Sequence, residues 1–307
     1  MEGALAIRSL LAVPGSSLRM AEKALASGAD GVFLDLEDAV APEEKSGARA
    51  RVVEAMKELD WGGRRRLFRM NAPDTPYFHR DLMEVVGGAG GAVDAVLVPK
   101  VRCAEDLYAV DLLLRAIEAE AGLEPGSVGL EAQIESVEGL SNAVEIARAT
   151  SRLSALHFGP GDYAASAGMP QRSIGVADEW DEVYGADRFH YAMHHVVVAA
   201  RVAGVRALDG PVADYRDEEG LRRSSLKARS LGFDGKWCIH PAQIGVVNEI
   251  FSPTEEEVAW AKMVVAAYQA AEAAGSGALA VDGQMVDAAS IRMARNTLER
   301  ARLAGLD

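Results

Sequence analysis

A chain of 307 residues with 49% apolar side chains can bury a full core, as one large domain or two small ones. Its 46 acidic and 32 basic residues leave a net charge of −14, which excludes non-specific nucleic-acid binding, because that needs a basic face to displace counterions. No apolar run reaches the roughly 18 unbroken residues of a membrane span, and the first eight residues lack the basic start, long apolar run and cleavage site of a secretory signal. The two cysteines, Cys103 and Cys238, match no metal or redox spacing and read as buried thiols of a reducing cytoplasm. An acidic balance does not exclude a small anionic substrate, since a few local arginines and a metal reverse the sign inside a cleft.

Short β-like runs alternate with longer helical patterns along the chain. Strands are expected over 10–14, 31–35, 67–71, 95–100, 129–135, 155–159, 205–210 and 236–240. They are rich in Val, Leu, Ile or Phe and flanked by Gly, Pro or Asp, as strands buried on both faces of a parallel sheet are. The clearest helix is predicted over 104–121, where Leu107, Val110, Leu114 and Ile117 recur at three- and four-residue steps. The glycines of 87–91 read as a turn between a helix and the fourth strand, not as a phosphate cradle. Eight such units in about 250 residues predict a (β/α)8 TIM barrel. A doubly wound open sheet is the alternative, but polar residues close nearly all eight strands instead of gathering at one crevice. Beyond the eighth strand follow a long helix over 254–274, a small-residue break over 275–280, a short segment over 281–286 and a last helix. We therefore expect a catalytic barrel over 1–253 and a helical extension over 254–307, free to act as a lid or to reach a neighbouring subunit.

In a TIM barrel the active site lies where the strands end. Those ends supply Pro14-Gly15-Ser16, then Asp35, Glu37 and Asp38, then Arg69 and Asn71, Lys100, Glu135, Gly161 with Asp162, Asp209 and His240. Six carboxylates converging on one mouth repel each other unless a cation is present. A hard divalent ion with oxygen ligands resolves the conflict, and magnesium commonly takes one or two protein carboxylates together with substrate and water. Position alone leaves alternatives open: Asp162 would serve equally as a helix N-cap and Glu135 as a first-turn acid favoured by the helix dipole. Arg69 and Lys100 would pair with neighbouring acids or face the same mouth. His190 and His194 have a zinc-compatible spacing without the glutamate of a metalloprotease motif, which favours a structural or surface role.

The segments Arg8-Ser-Leu-Leu-Ala-Val-Pro-Gly-Ser16, Phe33-Leu-Asp-Leu-Glu-Asp-Ala-Val40, Val98-Pro-Lys-Val101, Gln133-Ile-Glu-Ser136, Gly161-Asp-Tyr-Ala-Ala-Ser166 and Gly235-Lys-Trp-Cys-Ile-His-Pro241 occur in one order. Together they resemble the citrate lyase β-subunit-like (HpcH/HpaI aldolase/citrate lyase) family, and within it the malyl-CoA lyase and β-methylmalyl-CoA lyase branch. The resemblance runs from about Arg8 to the C-terminus. It implies Mg2+, or Mn2+, on Glu135 and Asp162, with Glu37 and Asp38 organising the water shell. It also implies Arg69 on the oxygen where negative charge develops. Asp287, in Gly283-Gln-Met-Val-Asp287, would be the base, supplied by a neighbouring subunit. Arg19, Lys23, Gly161, Ile239 and His240 would line the site for the CoA thioester and a 2-oxo acid. The implied activity is reversible cleavage of malyl-CoA to acetyl-CoA and glyoxylate in a cytoplasmic homo-oligomer, a trimer or hexamer. Alternatives within the resemblance are a citramalyl-CoA or β-methylmalyl-CoA lyase, a malyl-CoA thioesterase, a CoA-independent aldolase, or a citrate lyase β subunit working with an acyl carrier. The chain departs from malyl-CoA lyases in an abbreviated stretch, Ile174-Gly-Val-Ala-Asp-Glu-Trp180, and in its Gly159-Pro160-Gly161 turn, which puts the identity of the 2-oxo acid in doubt.

Overall fold

The structure, a computed structural model, describes residues 7–273, 279–281 and 283–306. Eight parallel strands close into a barrel in sequence order: β1 (Ser9–Pro14), β2 (Gly31–Asp35), β3 (Arg66–Arg69), β4 (Ala95–Val98), β5 (Gly129–Ile134), β6 (Leu153–Phe158), β7 (Arg206–Asp209) and β8 (Gly235–Cys238). Strand β8 pairs with β1, Ser9 facing Lys236 and Leu11 facing Cys238, so no edge is left open. The expected strands are all present, but several end earlier than the apolar pattern does. Asn71, Lys100, Glu135 and His240 lie beyond the last ladder pairs, in the loops that rim the mouth.

Alternation along each strand sorts the side chains. Leu10, Phe33, Leu67, Ala95, Leu97, Ala155, Leu208 and Trp237 pack together in one buried cluster. Their neighbours in sequence, such as Val32, Phe68 and Val96, are equally buried and face the surrounding helices. The helix over Ala104–Ala121 buries Leu107, Val110, Leu114 and Ile117, and Gly122 closes it in the left-handed region at φ 66°. The 87–91 glycines lie in a short helical turn and a 3-10 turn before β4. One irregularity interrupts the ladders. Between β5 and β6 the register passes from Leu130 with Leu153 to Glu131 with Ala155, so Ser154 has no partner residue in β5.

The barrel and its helices form one compact unit, Ile7–Asn248, and the residues from Glu249 onward form a second. In the second unit the helix Glu255–Ala273, an antiparallel hairpin of Leu279–Val281 (β9) with Gln284–Val286 (β10), and the helix Ala288–Leu303 share a small core of Ala261, Val264, Val281, Val286 and Ala294. The break expected over 275–280 lies outside the described residues as far as residue 278. Among the described residues, no helix is long and apolar enough to cross a membrane. Cys238 is buried, which pushes its thiol pKa up to about 12, whereas Cys103 is half-buried and not the fully buried thiol expected.

Candidate active site

The end of β2 builds one wall of the mouth. Asp35, the last residue of the strand, accepts hydrogen bonds from the backbone N–H groups of Glu37 (2.9 Å) and Ala39 (3.1 Å), which folds the following loop back across the barrel. Lys45 secures that loop from outside, donating to the carbonyls of Leu36 (2.8 Å) and Glu37 (2.9 Å). Burial pulls the Lys45 pKa below its ordinary value. The fold thereby turns the Glu37 carboxylate inward, where it is 7% exposed, and leaves the Asp38 side chain 62% exposed at the rim.

Arg69, at the end of β3, is buried among these acids. Its Nε and Nη2 each lie 2.7 Å from an oxygen of Asp35, while Nη1 lies 2.9 Å from Glu37 Oε2 and 3.4 Å from Gln133 Oε1. Burial alone would lower its pKa, but Asp35, Glu37 and Glu135 outweigh that and raise it, so Arg69 is a permanent cation. Its guanidinium lies over the rings of Trp237 and Phe33, with Cζ 5.5 and 5.9 Å from the ring centroids.

Opposite Arg69, Glu135 directly follows the end of β5 and is 2% exposed. Its Oε1 accepts from the backbone N–H of Lys100 (2.8 Å) and its Oε2 from Gln133 Nε2 (2.5 Å). Lys100 makes the first bond from a backbone φ of +51°, the one positive value at a non-glycine position among the described residues. Its ammonium lies 2.6 Å from Glu37 Oε1, 3.6 Å from Asp38 and 3.8 Å from Asp162. Burial acts to lower the Lys100 pKa, but these acids prevail and raise it. Desolvation, then the charges of Glu37 and Asp162, push the Glu135 pKa well above the carboxylate range. Glu37 is also raised, by burial first and by Asp38, against the pull of Arg69 and Lys100.

This donor set fits a hard divalent cation. Glu37, Glu135 and Asp162 crowd together in a partly desolvated space, where an added cation relieves their repulsion. Glu37 Oε2 is fully buried and meets Arg69 as an ion pair without hydrogen-bond geometry, which leaves a lone pair undirected. Gly159 keeps the space open, because a Cβ there would come within 2.5 Å of Glu135 Cβ and Oε2 and 2.9 Å of Gln133 Nε2. Among the described residues no three His, Cys, Asp or Glu form a complete cage. Magnesium takes one or two carboxylates and keeps water and substrate as its other ligands.

The mouth thus brings together Glu37, Asp38, Arg69, Lys100, Glu135 and Asp162. Asp162 is not a helix N-cap: the helix Pro160–Ser166 has Gly159 at that position, and Asp162 sits half-buried in its first turn. Glu135 is not a first-turn acid either, since it precedes Ser136, the N-cap of the helix Val137–Ser141. Gly161 packs near Ile174, whose Cδ1 would lie 3.0 Å from a Cβ placed there. Asp209 does not join the cluster. Leu208 faces the barrel core, so Asp209 faces outward, where the buried Lys236 ammonium binds it at 2.5 Å. Asn71 is likewise occupied, its backbone and side-chain nitrogens both donating to Asp81 (2.8 and 2.6 Å). Arg19 and Lys23 are exposed one turn apart on the helix Leu18–Leu25. Ile239 and His240 are exposed after β8, with the His240 ring stacked on Tyr215 at 4.3 Å. His190 and His194 are exposed near the start of the helix His190–Ala203, their rings stacked 6.1 Å apart.

Asp287, in the second compact unit, is the N-cap of the helix Ala288–Leu303. Its Oδ1 accepts from the N–H groups of Ala289 (2.9 Å) and Ser290 (3.0 Å) and from the Ser290 hydroxyl (3.1 Å). The bonds from Ser290, then that from Ala289, lower its pKa, so it stands ionised at neutral pH. The sequence reading missed Lys45 and Gln133 as site residues, and the inward-facing Glu131 and His157. The signal for part of this was present: Glu131, Gln133 and Glu135 alternate along one strand, which marks a polar inner face on β5.

The HpcH/HpaI aldolase/citrate lyase family matches residues 8–241. The L-malyl-CoA/β-methylmalyl-CoA lyase of Cereibacter sphaeroides is 41% identical to this chain over 94% of its length and 93% of the relative's. The (3S)-malyl-CoA thioesterase of the same species is 38% identical over 96% of this chain and 94% of that protein. Among solved structures, the protein CitE of Mycobacterium tuberculosis in complex with magnesium, acetoacetate and coenzyme A is 31% identical, with a TM-score of 0.75 over 97% of this chain and 98% of that one. A barrel with this mouth, matched by relatives along nearly its whole length, belongs to the HpcH/HpaI aldolase/citrate lyase family.

Proposed function

We propose that the protein is a divalent-cation-dependent carbon–carbon lyase of CoA thioesters that interconverts malyl-CoA with acetyl-CoA and glyoxylate. The observation that carries this reading is Arg69, clamped by Asp35 and facing the three crowded carboxylates Glu37, Glu135 and Asp162. The identity with the Cereibacter lyase supports the substrate class.

Glu135 and Asp162 would hold Mg2+ or Mn2+, with Glu37 and Asp38 ordering its water. When bound, the ion supplies Lewis-acid polarisation of the 2-oxo acid carbonyl. Arg69 orients the 2-oxo acid and stabilises the oxygen on which charge develops, as a buried, preorganised donor. Lys100 balances the acids and, through its backbone N–H, fixes the rotamer of Glu135. Arg19, Lys23, Gly161, Ile239 and His240 line the route for the thioester. Asp287 of a neighbouring subunit takes the proton from the acetyl-CoA methyl group, with the oxygen outside the three capping bonds. The segment over 254–307 then acts as a lid that excludes water from the thioester and the enolate. This reading requires a homo-oligomer, a trimer or hexamer, and places it in the cytoplasm, where Cys103 and Cys238 stay reduced.

A second reading is favoured by the 38% identity with the thioesterase: hydrolysis of malyl-CoA to malate and free CoA. One assay separates the two. Purified protein is given (S)-malyl-CoA with and without Mg2+, and glyoxylate and free CoA are followed separately. Metal-dependent glyoxylate without free CoA is the expected result. Free CoA without glyoxylate makes the protein a thioesterase, and neither product withdraws the malyl-CoA assignment.

A further inference from the structure

Beneath the carboxylates, the barrel interior carries a polar thread that the proposed chemistry does not use. TIM barrels fill this space mainly with branched aliphatic side chains. Here Glu131 of β5 and His157 of β6 are both 0% exposed, and Trp237 of β8 is 4% exposed. Burying an acid and an imidazole costs free energy unless each polar atom finds a partner. Arg65 Nη1 reaches Glu131 Oε1 at 2.9 Å, and Arg206 stands 3.5 Å from the same oxygen. The other oxygen, Oε2, lies 2.8 Å from His157 Nε2. The Trp237 indole N–H donates to His157 Nδ1 at 2.7 Å.

This chain of bonds has one consistent proton arrangement. An indole nitrogen only donates, so Nδ1 of His157 must accept, and the imidazole proton sits on Nε2, pointing at Glu131. Burial alone would raise the Glu131 pKa, but its hydrogen bond with His157 and the charges of Arg206 and Arg65 lower it, so the anion that selects this tautomer persists at neutral pH. The indole is then fixed at its nitrogen by His157 and against its ring by Phe33, whose centroid is 4.7 Å away. The Arg69 guanidinium lies over that same ring. Asp35 sets the guanidinium within its own plane, through Nε and Nη2. The faces of Trp237 and Phe33 set the tilt of that plane. Both restraints are needed to aim Nη1.

We propose that His157 is a positioning residue for Arg69: through its Nδ1 it locks the Trp237 indole on which the Arg69 guanidinium rests. Glu131 acts one step further back, by choosing the tautomer. The inference rests on the reading of Arg69 as the group that meets the substrate oxygen. A misplacement of about 1 Å at such a group costs on the order of 100-fold in rate.

The test uses three substitutions in the full chain. His157→Asn keeps an acceptor where Nδ1 stands, His157→Gln keeps a donor toward Glu131 but loses that acceptor, and Trp237→Phe keeps an aromatic ring without the N–H. The expected result is that His157→Gln and Trp237→Phe lower kcat about 10- to 100-fold, with KM for the CoA thioester within about threefold. His157→Asn retains kcat within about threefold even where its melting temperature falls. Equal losses in His157→Asn and His157→Gln, or unchanged kcat in Trp237→Phe, overturn the proposal and leave the thread as packing. Crystal structures of the same variants read the geometry without any turnover. A displaced or doubled Arg69 rotamer in His157→Gln and a native one in His157→Asn support the inference even if the wild type cleaves no malyl-CoA. An unmoved Arg69 in all three overturns it.

Discussion

Asp35 grips Arg69 along one whole edge of its guanidinium, Nε and Nη2 each standing 2.7 Å from a carboxylate oxygen. Lysine cannot reproduce a two-point edge, because its ammonium is a single point charge. Arg69→Lys is therefore expected to lower kcat by roughly 100- to 1,000-fold, the scale for losing a preorganised oxyanion donor. Steady-state kinetics alongside circular dichroism would check it. An Arg69→Lys enzyme within threefold of wild type refutes the assigned role.

Glu135 makes a prediction about stability. Its folded pKa is raised well above the ordinary carboxyl value of 4.5, by burial first and by Glu37 and Asp162 next. Above pH 4.5 the unfolded chain releases this proton more readily than the folded one. The contribution of Glu135 is thus fully present below pH 4.5 and is lost as pH rises toward its folded value. In the presence of EDTA, Glu135→Gln is expected to gain thermal stability over wild type, and the gain should grow from pH 5 to pH 8. In Mg2+ the order should reverse, since only the wild type gains from a bound ion. Melting curves at four pH values, with and without the metal, decide this; a gap between the two proteins that ignores pH counts against the crowded-carboxylate reading.

The space beside Glu135 depends on Gly159. A methyl group there would meet Glu135 Cβ and Oε2 at 2.5 Å. Both neighbours sit in a packed wall, so overpacking should cost about 1–3 kcal/mol. Gly159→Ala should also weaken Mg2+ binding at least tenfold by calorimetry, because the displaced carboxylate is a proposed ligand. Unaltered affinity would mean that Glu135 does not hold the ion.

For Asp287 the useful experiment is mixing. Asp287→Ala and Glu135→Ala should each be inactive alone. If the base comes from a neighbouring subunit, co-refolded mixtures regain activity at sites that combine an intact barrel with an intact Asp287. Exchange of subunits is verified by differently tagged chains in one oligomer. Verified exchange with no recovered activity removes the trans arrangement.

Much of the barrel was legible because each strand of a parallel barrel is buried on both faces and leaves a plain apolar run. The strand ends were less so. Asn71 and Glu135 follow Met70 and Ile134 directly, and nothing in composition says that the ladder stops before them, whereas Pro99 before Lys100 was a stop signal that the apolar pattern overran. Asp209 exposed a second limit. It closes a strand as Asp35 does, yet Asp35 follows Phe33 by two and faces inward, whereas Asp209 follows Leu208 by one and faces out. Which side chains face the lumen depends on the parity of each strand, and parity is set by pairing with neighbours distant in sequence. The acid cluster at the mouth was found because five of its members sit in short motifs. Glu131 and His157 went unnoticed because their partners lie in other strands, 26 and 80 residues apart.

The unpaired Ser154 gives β6 one residue of slack against β5. Were Ser154 deleted, the pairs on either side would follow in unbroken register, Leu130 with Leu153 and Glu131 with Ala155. A residue lost after it, between Ala155 and His157, has no such slack, and the rest of the strand would rotate by half a step. Phe158 would then turn into the lumen, His157 would turn to the helices, and Gly159 would no longer stand beside Glu135. The shortened chain would keep each of its recognisable motifs and lose the alignment between them. A sequence comparison that scores motifs singly would rate such a protein as intact, although its parts no longer face one another.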